Sequence, residues 1–549
     1  MMRSLESSAF PTFNDEQMAA IGSIADLLSF QPEQELISQG QKDYPFYVVK
    51  SGKVRIVEPE GDSSKPIAIH GAGAFTGDID MLTGRSSLFV AIADDEVEVY
   101  RLCAYRLRKL LNECPDVSEL LLDAFQKRRE LVAENGLTGV RMIGRSNTIE
   151  TSRLLEFFYK NHVPHKFFEA DHDDGKLQLE MLGATDLPLP VIRCNKHTIG
   201  NPSLPKLAEC IGIARDVNEQ LFDLVIVGAG PAGLAAAVYA ASEGIKTLVI
   251  DAVGPGGQAG SSSKIENFIG FPSGLSGNDL ANRGYLQALK FGTQFIAPIT
   301  VGSIDSDHSG EHRLKLCTGQ TARARCVLIA SGVTYRQLGL PGCQRLEGAG
   351  VYYAATLVEA RVCDQATAVV VGGGNSAGQA AMFLAQHANE VKLLIRGDDL
   401  SKSMSAYLCD RVLKNPKIEV CKHCEIERIH GDEHVESIEV RNNRDETTES
   451  ITCAGVFIFI GAKPHTDWLP EKVLLDDKGF VMTGSSFYSA DSELRSRWPL
   501  TRGPCDLETT VPGIMAAGDV RAGTTKRCGF AVGDGSLAVS CVHRYLNDI

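Results

Sequence analysis

At 549 residues the chain is too long for one domain, and at roughly 150 residues per domain it is expected to hold three or four. Hydrophobic residues at 44% and charged residues at 23% exclude a disordered, collagenous or membrane-embedded chain. Lys+Arg 55 against Asp+Glu 69 leaves a net charge of −14, which argues against binding nucleic acid or an anionic membrane. The 15 cysteines lack paired spacing, and the start of the chain carries Glu6 and no apolar leader core, so a reduced, cytoplasmic protein is expected. The most apolar stretch, Leu224 to Ala241, is interrupted by Gly228, Gly230, Pro231 and Gly233 and reads as strand, turn and helix rather than a membrane span.

Up to Leu111 the chain shows short apolar runs punctuated by glycine: Phe46 to Lys50, Val54 to Val57, Ile67 to Ile69 and Val97 to Leu102. Such spacing predicts a small antiparallel barrel. Tyr105 to Val132 then places Leu107, Leu110, Leu111, Leu120, Leu121 and Phe125 at helical spacing, interrupted near Pro115. From Gly139 a compact α/β unit is expected: strand Val140 to Ile143, helix Thr151 to Lys160, strand Lys166 to Glu169, a loop, Pro188 to Ile192, and a helix near Leu204 to Ile211. The remainder, from Gln220, holds two βαβ nucleotide-binding units.

The first unit opens with Asp223-Leu-Val-Ile-Val-Gly228-Ala-Gly230-Pro231-Ala232-Gly233. Small residues at this strand-to-helix turn let the backbone approach a pyrophosphate, and the helix N-terminus faces it. The next strand ends in Asp251, at the distance where a carboxylate accepts ribose hydroxyls. A second fingerprint, Gly372-Gly373-Gly374-Asn375-Ser376-Ala377-Gly378, follows the strand from Thr367, so two dinucleotides are expected. Arg396 closes the strand after it, where an adenosine 2′-phosphate would sit. Gly397 and Ser401 follow instead of further basic residues, so selectivity between NADPH and NADH is expected to be modest.

Residues 220–549 resemble bacterial low-molecular-weight thioredoxin reductases. The resemblance is carried, in the family's order, by Gly228-Ala-Gly-Pro-Ala-Gly233, Gly256-Gly257-Gln258-Ala, Lys264-Ile-Glu-Asn267, Ala330-Ser331-Gly332, Gly372-Gly-Gly374-Asn-Ser-Ala377, Phe459-Ile-Gly461 and Ala517-Gly-Asp519. It implies FAD on the first fingerprint, with Gly228, Gly230, Pro231, Ala232, Gly233, Asp251, Gly257, Gln258, Asn267, Ser331, Gly332 and Asp519 around it. Lys526, Arg527 and Cys528 are then expected beside the isoalloxazine, where cationic groups and free N–H groups stabilise reduced flavin. NADPH or NADH is expected on Gly372, Gly374, Asn375, Ser376, Ala377, Arg396 and Gly461. A homodimer is the expected assembly, and no metal site is read.

The family's redox dithiol falls on Ala354 and Leu357, and neither side chain can attack or resolve a disulfide. Cys421-Lys-His-Cys424 is the chain's one C-x-x-C. It reads as part of a single strand from Ile418 to Ile426, where positions three apart face opposite ways, so the pair is expected to be structural. The 139–213 unit resembles a glutaredoxin through its strand-helix-strand start, a cis-proline position at Leu189-Pro190-Val191-Ile192 and a hairpin at Asn195 to Gly200. Its nucleophile position, within Gly144 to Thr151, holds no cysteine, which implies a thioredoxin fold without redox chemistry. Cys194 and Cys210 read as buried small hydrophobes.

The first unit resembles a cyclic nucleotide-binding domain, with a hairpin at Ser51-Gly52-Lys53 and Gly73-Ala-Phe75-Thr-Gly77-Asp78 to Gly84-Arg85 at the phosphate-binding cassette. The family's ribose-binding Glu is replaced by Asp78, and its phosphate-binding Arg position falls on Ser87, with Arg85 two residues earlier. Gly77, Asp78 and Arg85 are therefore the expected ligand residues, for a nucleotide-like ligand or another anion. No helix-turn-helix follows to make a transcription factor.

The expected fold is α/β: two Rossmann-like domains preceded by a thioredoxin-fold domain and an N-terminal cyclic-nucleotide-binding β-barrel. Its domains are 1–135 for the barrel with its helices, 139–213 for the glutaredoxin-like unit, 220–337 with 463–549 for FAD and 338–462 for NAD(P)H. The expected function is hydride transfer from NAD(P)H to FAD, then electron transfer to an unidentified acceptor protein, under regulation by the first domain. Three alternatives stay open: a ferredoxin-NADP reductase-like enzyme, a redox or nucleotide sensor with little turnover, and a thioredoxin reductase using Cys528 or Cys363.

Overall fold

In a computed structural model, the structure describes residues 8–548 except 58–65, 79, 88, 135–139, 147, 195–196, 261, 263–264, 266–267, 307–309, 341, 344, 354, 356, 489–494 and 497. The first unit is a barrel of two antiparallel sheets. One holds Asp26–Phe30, Val97–Leu102 and Phe46–Ser51, and the other Glu35–Ile37, Val90–Ala93, Val54–Val57 and Ala68–His70. Inside it the Phe75 ring packs on Phe46 and Phe125, with centroids 5.5 and 6.1 Å apart. The expected helical break at Pro115 separates Ala104–Glu113 from Pro115–Glu134. Proline without its N–H suits a helix start, where that donor would have no partner.

A four-stranded sheet follows in the order His197–Gly200, Val191–Cys194, Val140–Gly144, Lys166–Glu169, with only the last pair parallel. Helices Ile149–Lys160 and Leu204–Cys210 pack with it, and the Leu189–Pro190 bond is cis. The expected loop before Pro188 contains a helix, Asp173–Met181. Most of its residues stay exposed, so it offers little apolar periodicity to read. Cys194 and Cys210 are not separate thiols as expected. They form a disulfide with Cα atoms 6.3 Å apart, because the strand end and the last turn of helix Leu204–Cys210 meet across a spacing that sequence alone leaves unpaired.

Two Rossmann-type sheets complete the chain. In the first, Gln294–Ile296, Thr247–Ile250, Leu221–Val227, Thr321–Ile329 and Ile514–Ala516 run parallel. In the second, Val351–Tyr352, Gly455–Ile458, Thr367–Val371, Glu390–Ile395 and Ile418–Lys422 do. The expected single strand Ile418 to Ile426 is instead two, Ile418–Lys422 and Cys424–His430, in different sheets. His423 between them turns the chain at φ 60°. Cys421 and Cys424 remain free thiols.

The barrel is not a loosely tethered module. Leu82, Leu107, Leu110 and Leu111 of the barrel and its helices share one buried apolar cluster with Leu234, Tyr285, Leu286 and Leu289 of the first Rossmann unit. The last three lie on helix Gly277–Phe291. Leu289→Ala leaves a cavity on this seam and is expected to destabilise the barrel and the flavin half together, by ~2–5 kcal/mol. Calorimetric unfolding checks this: a shift confined to one transition would mean that the two units do not share a core.

Candidate functional site

The strand Leu221–Val227 turns at Gly228, with φ 110°, a conformation that glycine adopts without strain. A side chain at 233 would run into the Gly228 carbonyl oxygen, and a Cβ at 257 would stand 2.8 Å from the Gly230 Cα. The glycines therefore let three pieces of backbone close on one another. Gly230 caps helix Pro231–Ser242 with no side-chain hydrogen bond, leaving the helix N-terminus facing the turn. This cradle suits a pyrophosphate.

Asp251 braces the cradle. One carboxylate oxygen accepts from Ala229 N at 2.8 Å, and the other from Val253 N and Gly254 N at 2.9 and 2.8 Å. A carboxylate offers about four acceptor positions, so one remains for a ribose hydroxyl. At the other end of the site Asp519 lies in the turn Gly518–Val520. Burial and the nearby Asp534 raise its pKa, against the opposing charge of Lys526. Lys526 stands 4.0 Å over the Phe480 ring and is itself held below its usual pKa, mainly by burial. Gln258 Nε2 donates to the Val333 carbonyl at 3.4 Å, and Ser331 Oγ to the His465 carbonyl at 3.0 Å. Gly332 has φ 65°, and Asn267 lies outside the described residues.

The second turn repeats this plan. Gly372 has φ 135°, and Gly374 caps helix Asn375–Leu384 without a side-chain bond. Asn375 Oδ1 accepts from Ser405 N at 2.7 Å, tying the turn to the following loop. Ser376 and Ala377 occupy the helix's first turn, and Gly461, φ 102°, precedes strand Ala462–Pro464, which pairs with Val333–Tyr335. Arg396 projects from the strand end with its side chain 78% exposed, 3.6 Å from Glu425. Ser401 Oγ donates to Asp399, and Lys402 pairs with Asp398 at 2.7 Å. One available guanidinium among acids is a weak phosphate clamp.

The thiols considered as substitutes are poorly suited to attack. Cys363 is fully buried, which pushes its thiol up to about 12. Cys528 begins helix Cys528–Asp548, yet burial and the charge of Asp519 push it up to about 11. Cys421 is raised to about 12, chiefly by burial. Of the dithiol positions, Leu357 begins helix Leu357–Val362 and Ala354 lies outside the described residues.

The barrel's expected ligand residues separate. Asp78 turns back on its own loop, accepting from Asp80 N at 2.9 Å, and Gly77, φ 91°, lines the barrel cavity beside it. Arg85 does not reach that cavity. Its Nη1 donates to the Asn161 carbonyl at 2.7 Å and stands 3.6 Å from Asp80. Asn161 Nδ2 donates in turn to the Val253 carbonyl at 2.6 Å, in the loop that Asp251 holds. Leu82, Thr83 and Arg85 thus line one cleft with Ala229 and Asp251. Sequence reasoning missed Arg128 of helix Pro115–Glu134, which does line the barrel cavity. An arginine on an otherwise apolar helix face was its one signal.

The chain matches the pyridine nucleotide-disulphide oxidoreductase family over residues 222–535 and the cyclic nucleotide-binding domain over residues 27–114. It is 34% identical over 336 residues to a thioredoxin reductase of Peptoclostridium acidaminophilum, covering 60% of this chain and 98% of that one. A Listeria innocua thioredoxin reductase is 33% identical over 338 residues, covering 60% and 96%. Among solved structures, thioredoxin reductase from Lactococcus lactis matches with a TM-score of 0.53 at 26% identity, covering 60% of this chain and all of that one. The enzyme from T. acidophilum gives 0.52 at 28%, covering 60% and 99%. Two glycine-turn dinucleotide sites on parallel sheets define a flavin- and nicotinamide-dependent oxidoreductase. The chain belongs to the pyridine nucleotide-disulphide oxidoreductase family, with a cyclic nucleotide-binding domain ahead of its thioredoxin reductase-like part. Among the described residues no helix is long and apolar enough to cross a membrane.

Two outcomes follow from this geometry. Alkylation of Cys528 by iodoacetamide, read by peptide mass spectrometry, is expected to be slow at pH 7 and to rise as pH climbs toward 11, since only the thiolate reacts. Arg396→Ala is expected to cut the NADPH-over-NADH ratio of kcat/KM by about tenfold, the scale of one charge-assisted bond. An unchanged ratio would remove Arg396 from the phosphate site.

Proposed function

We propose that this enzyme takes hydride from NADPH or NADH onto FAD and delivers electrons to an acceptor that docks from outside, without an intrinsic dithiol. When bound, the two cofactors supply the hydride and electron chemistry. The chain's part is to hold and orient them. The amides after Gly230 and Gly374 receive the two pyrophosphates, Asp251 takes a ribose hydroxyl, and Asp519 with Lys526 positions the flavin end. The observation that carries the reading is the pairing of two complete dinucleotide turns with Ala354 and Leu357 at the dithiol positions. The burial-raised thiols of Cys363 and Cys528 speak against a substitute nucleophile.

We further read the barrel as an input to the flavin site. The support is the run of direct bonds from Arg85 to Asn161 and from Asn161 to Val253, two residues from Asp251. A displacement of the cassette helix Asp80–Thr83 is thereby felt at the loop that shapes the FAD ribose site. The 139–213 unit, whose strand order suits a glutaredoxin-like fold, supplies Asn161 and so serves as the spacer between input and output. Its Cys194–Cys210 disulfide lies away from the nucleophile position of such a fold, where Thr148 instead caps helix Ile149–Lys160.

NADPH-driven reduction of an artificial dye is expected to persist while reduction of thioredoxin stays at background. Robust thioredoxin turnover abolished by Cys528→Ser would overturn the reading. Arg85→Ala is expected to weaken FAD binding severalfold in a fluorescence titration. An unchanged FAD affinity would leave the barrel without a mechanical link to the flavin.

A further inference from the structure

Among the described residues Cys194 and Cys210 form the one disulfide, and the other thirteen cysteines stay free. The pair belongs to the unit whose expected nucleophile position, within Gly144 to Thr151, holds no cysteine. It joins the end of strand Val191–Cys194 to the last residue of helix Leu204–Cys210. Its two ends differ in access. Cys194 is 1% exposed, whereas Cys210 is half-buried and lines an open cleft of about 680 Å³. A disulfide exchanges through the sulfur that a thiolate can reach, so the cleft makes Cys210 the point of entry.

The cleft runs between strand His197–Gly200 and the helix, with His197 on the first and Lys206 and Glu209 on the second, and Gln39 and Gly40 of the barrel beside them. Lys206 Nζ stands 3.1 Å from Glu209, with the two side chains 63% and 61% exposed. An exposed pair of this kind is held weakly, so both charges are open to a ligand that carries their opposites. The space is that of a small-molecule site. Its lining residues all belong to the barrel or the 139–213 unit, apart from the flavin cradle.

We propose that Cys194–Cys210 is a thiol-exchange site for a small zwitterionic thiol, which enters at Cys210 with its carboxylate toward Lys206 and its ammonium toward Glu209. The incoming thiolate attacks Cys210 Sγ. A new S–S bond forms there, the Cys194–Cys210 bond breaks, and its electron pair goes to Cys194 Sγ, which takes up the proton that the incoming thiol gave up. A second small thiol attacks the first one's sulfur, which frees Cys210 as a thiol and leaves the two small thiols joined. Two electrons and two protons thus pass from solution to the protein pair, and the flavin takes no part. The bond also pins the segment that follows. A Cβ at Gly212 would stand 2.6 Å from Ser86 Oγ, and Ile213 and Arg215 line the cleft that holds Arg85 and Asp251. Reduction therefore loosens a piece of chain beside the FAD ribose site. That consequence rests on the reading of Asp251 as part of the FAD site. The exchange itself does not.

The FAD-loaded full chain, equilibrated with L-cysteine and cystine, quenched by alkylation and read by non-reducing peptide mass spectrometry, tests this. The Cys194–Cys210 bond is expected in cystine and is expected to be lost progressively as L-cysteine rises, with the flavin absorbance unchanged. With cystine, Cys194→Ser is expected to carry one cysteinyl adduct on Cys210, and Cys210→Ser at least tenfold less on Cys194. At equal thiolate concentration L-cysteine is expected to act severalfold faster than uncharged 2-mercaptoethanol. The proposal is overturned if the bond is absent in cystine, if it survives excess L-cysteine in the folded protein, if the two serine variants are modified alike, or if the two thiols react at one rate. Should a serine variant fail to fold, His197→Trp, which narrows the cleft from an exposed position, is expected to slow loss of the bond severalfold, and an unchanged rate overturns the route equally. Fluorescence titration of the reduced protein with FAD reads the consequence separately. Exchange with unchanged FAD affinity retains the site and removes only its link to the flavin.

Discussion

The carboxylate of Asp251 holds two turns in register, and the flavin half is organised around it. Its bonds to Ala229 N on one side and to Val253 N and Gly254 N on the other tie the glycine turn to the loop after the second strand. That loop is where the rest of the molecule attaches. A Cβ at Gly254 would stand 2.7 Å from Asn161 Nδ2, so close approach of the middle unit requires the glycine. The His162 ring stacks on Tyr285 with centroids 6.2 Å apart, adding a second contact to the same unit. One acid therefore shapes the dinucleotide cradle and the surface on which the N-terminal modules rest.

The proposed electron route departs from that of a reductase that passes electrons through its own thiols. Desolvation disfavours thiolate at the buried positions that remain, while the dinucleotide turns keep their glycine geometry. The N-terminal modules add a surface on the flavin half, at helix Gly277–Phe291. Coupling through such a seam requires a ligand that distinguishes two arrangements of the cassette. The shared apolar cluster and the Arg85 bridge are the elements able to transmit that difference.

Much of this was legible in the sequence. Glycine turns, the acid after the second strand and the break at Pro115 are local signals, and each falls where it was read. What was hidden depends on tertiary contact. The strands Asp26–Phe30 and Glu35–Ile37 are short and partly exposed, so alternation could not mark them. Arg85 was taken for a ligand residue because of its place in the cassette, but the middle unit captures it, and no sequence pattern records a partner 76 residues away. Arg128 was overlooked because it belongs to a helix read for its leucines. The Cys194–Cys210 pairing likewise emerges only where a strand end meets a helix end.

The central claim is that the flavin has no thiol partner within the chain. Anaerobic reductive titration of the FAD-loaded protein with dithionite, followed by absorbance, tests it most directly. Flavin alone takes up two electrons, and a communicating disulfide adds two more. Complete bleaching of the flavin at two electrons per FAD, with no intermediate charge-transfer band, is the result this account predicts. Uptake of four electrons before bleaching is complete would contradict it.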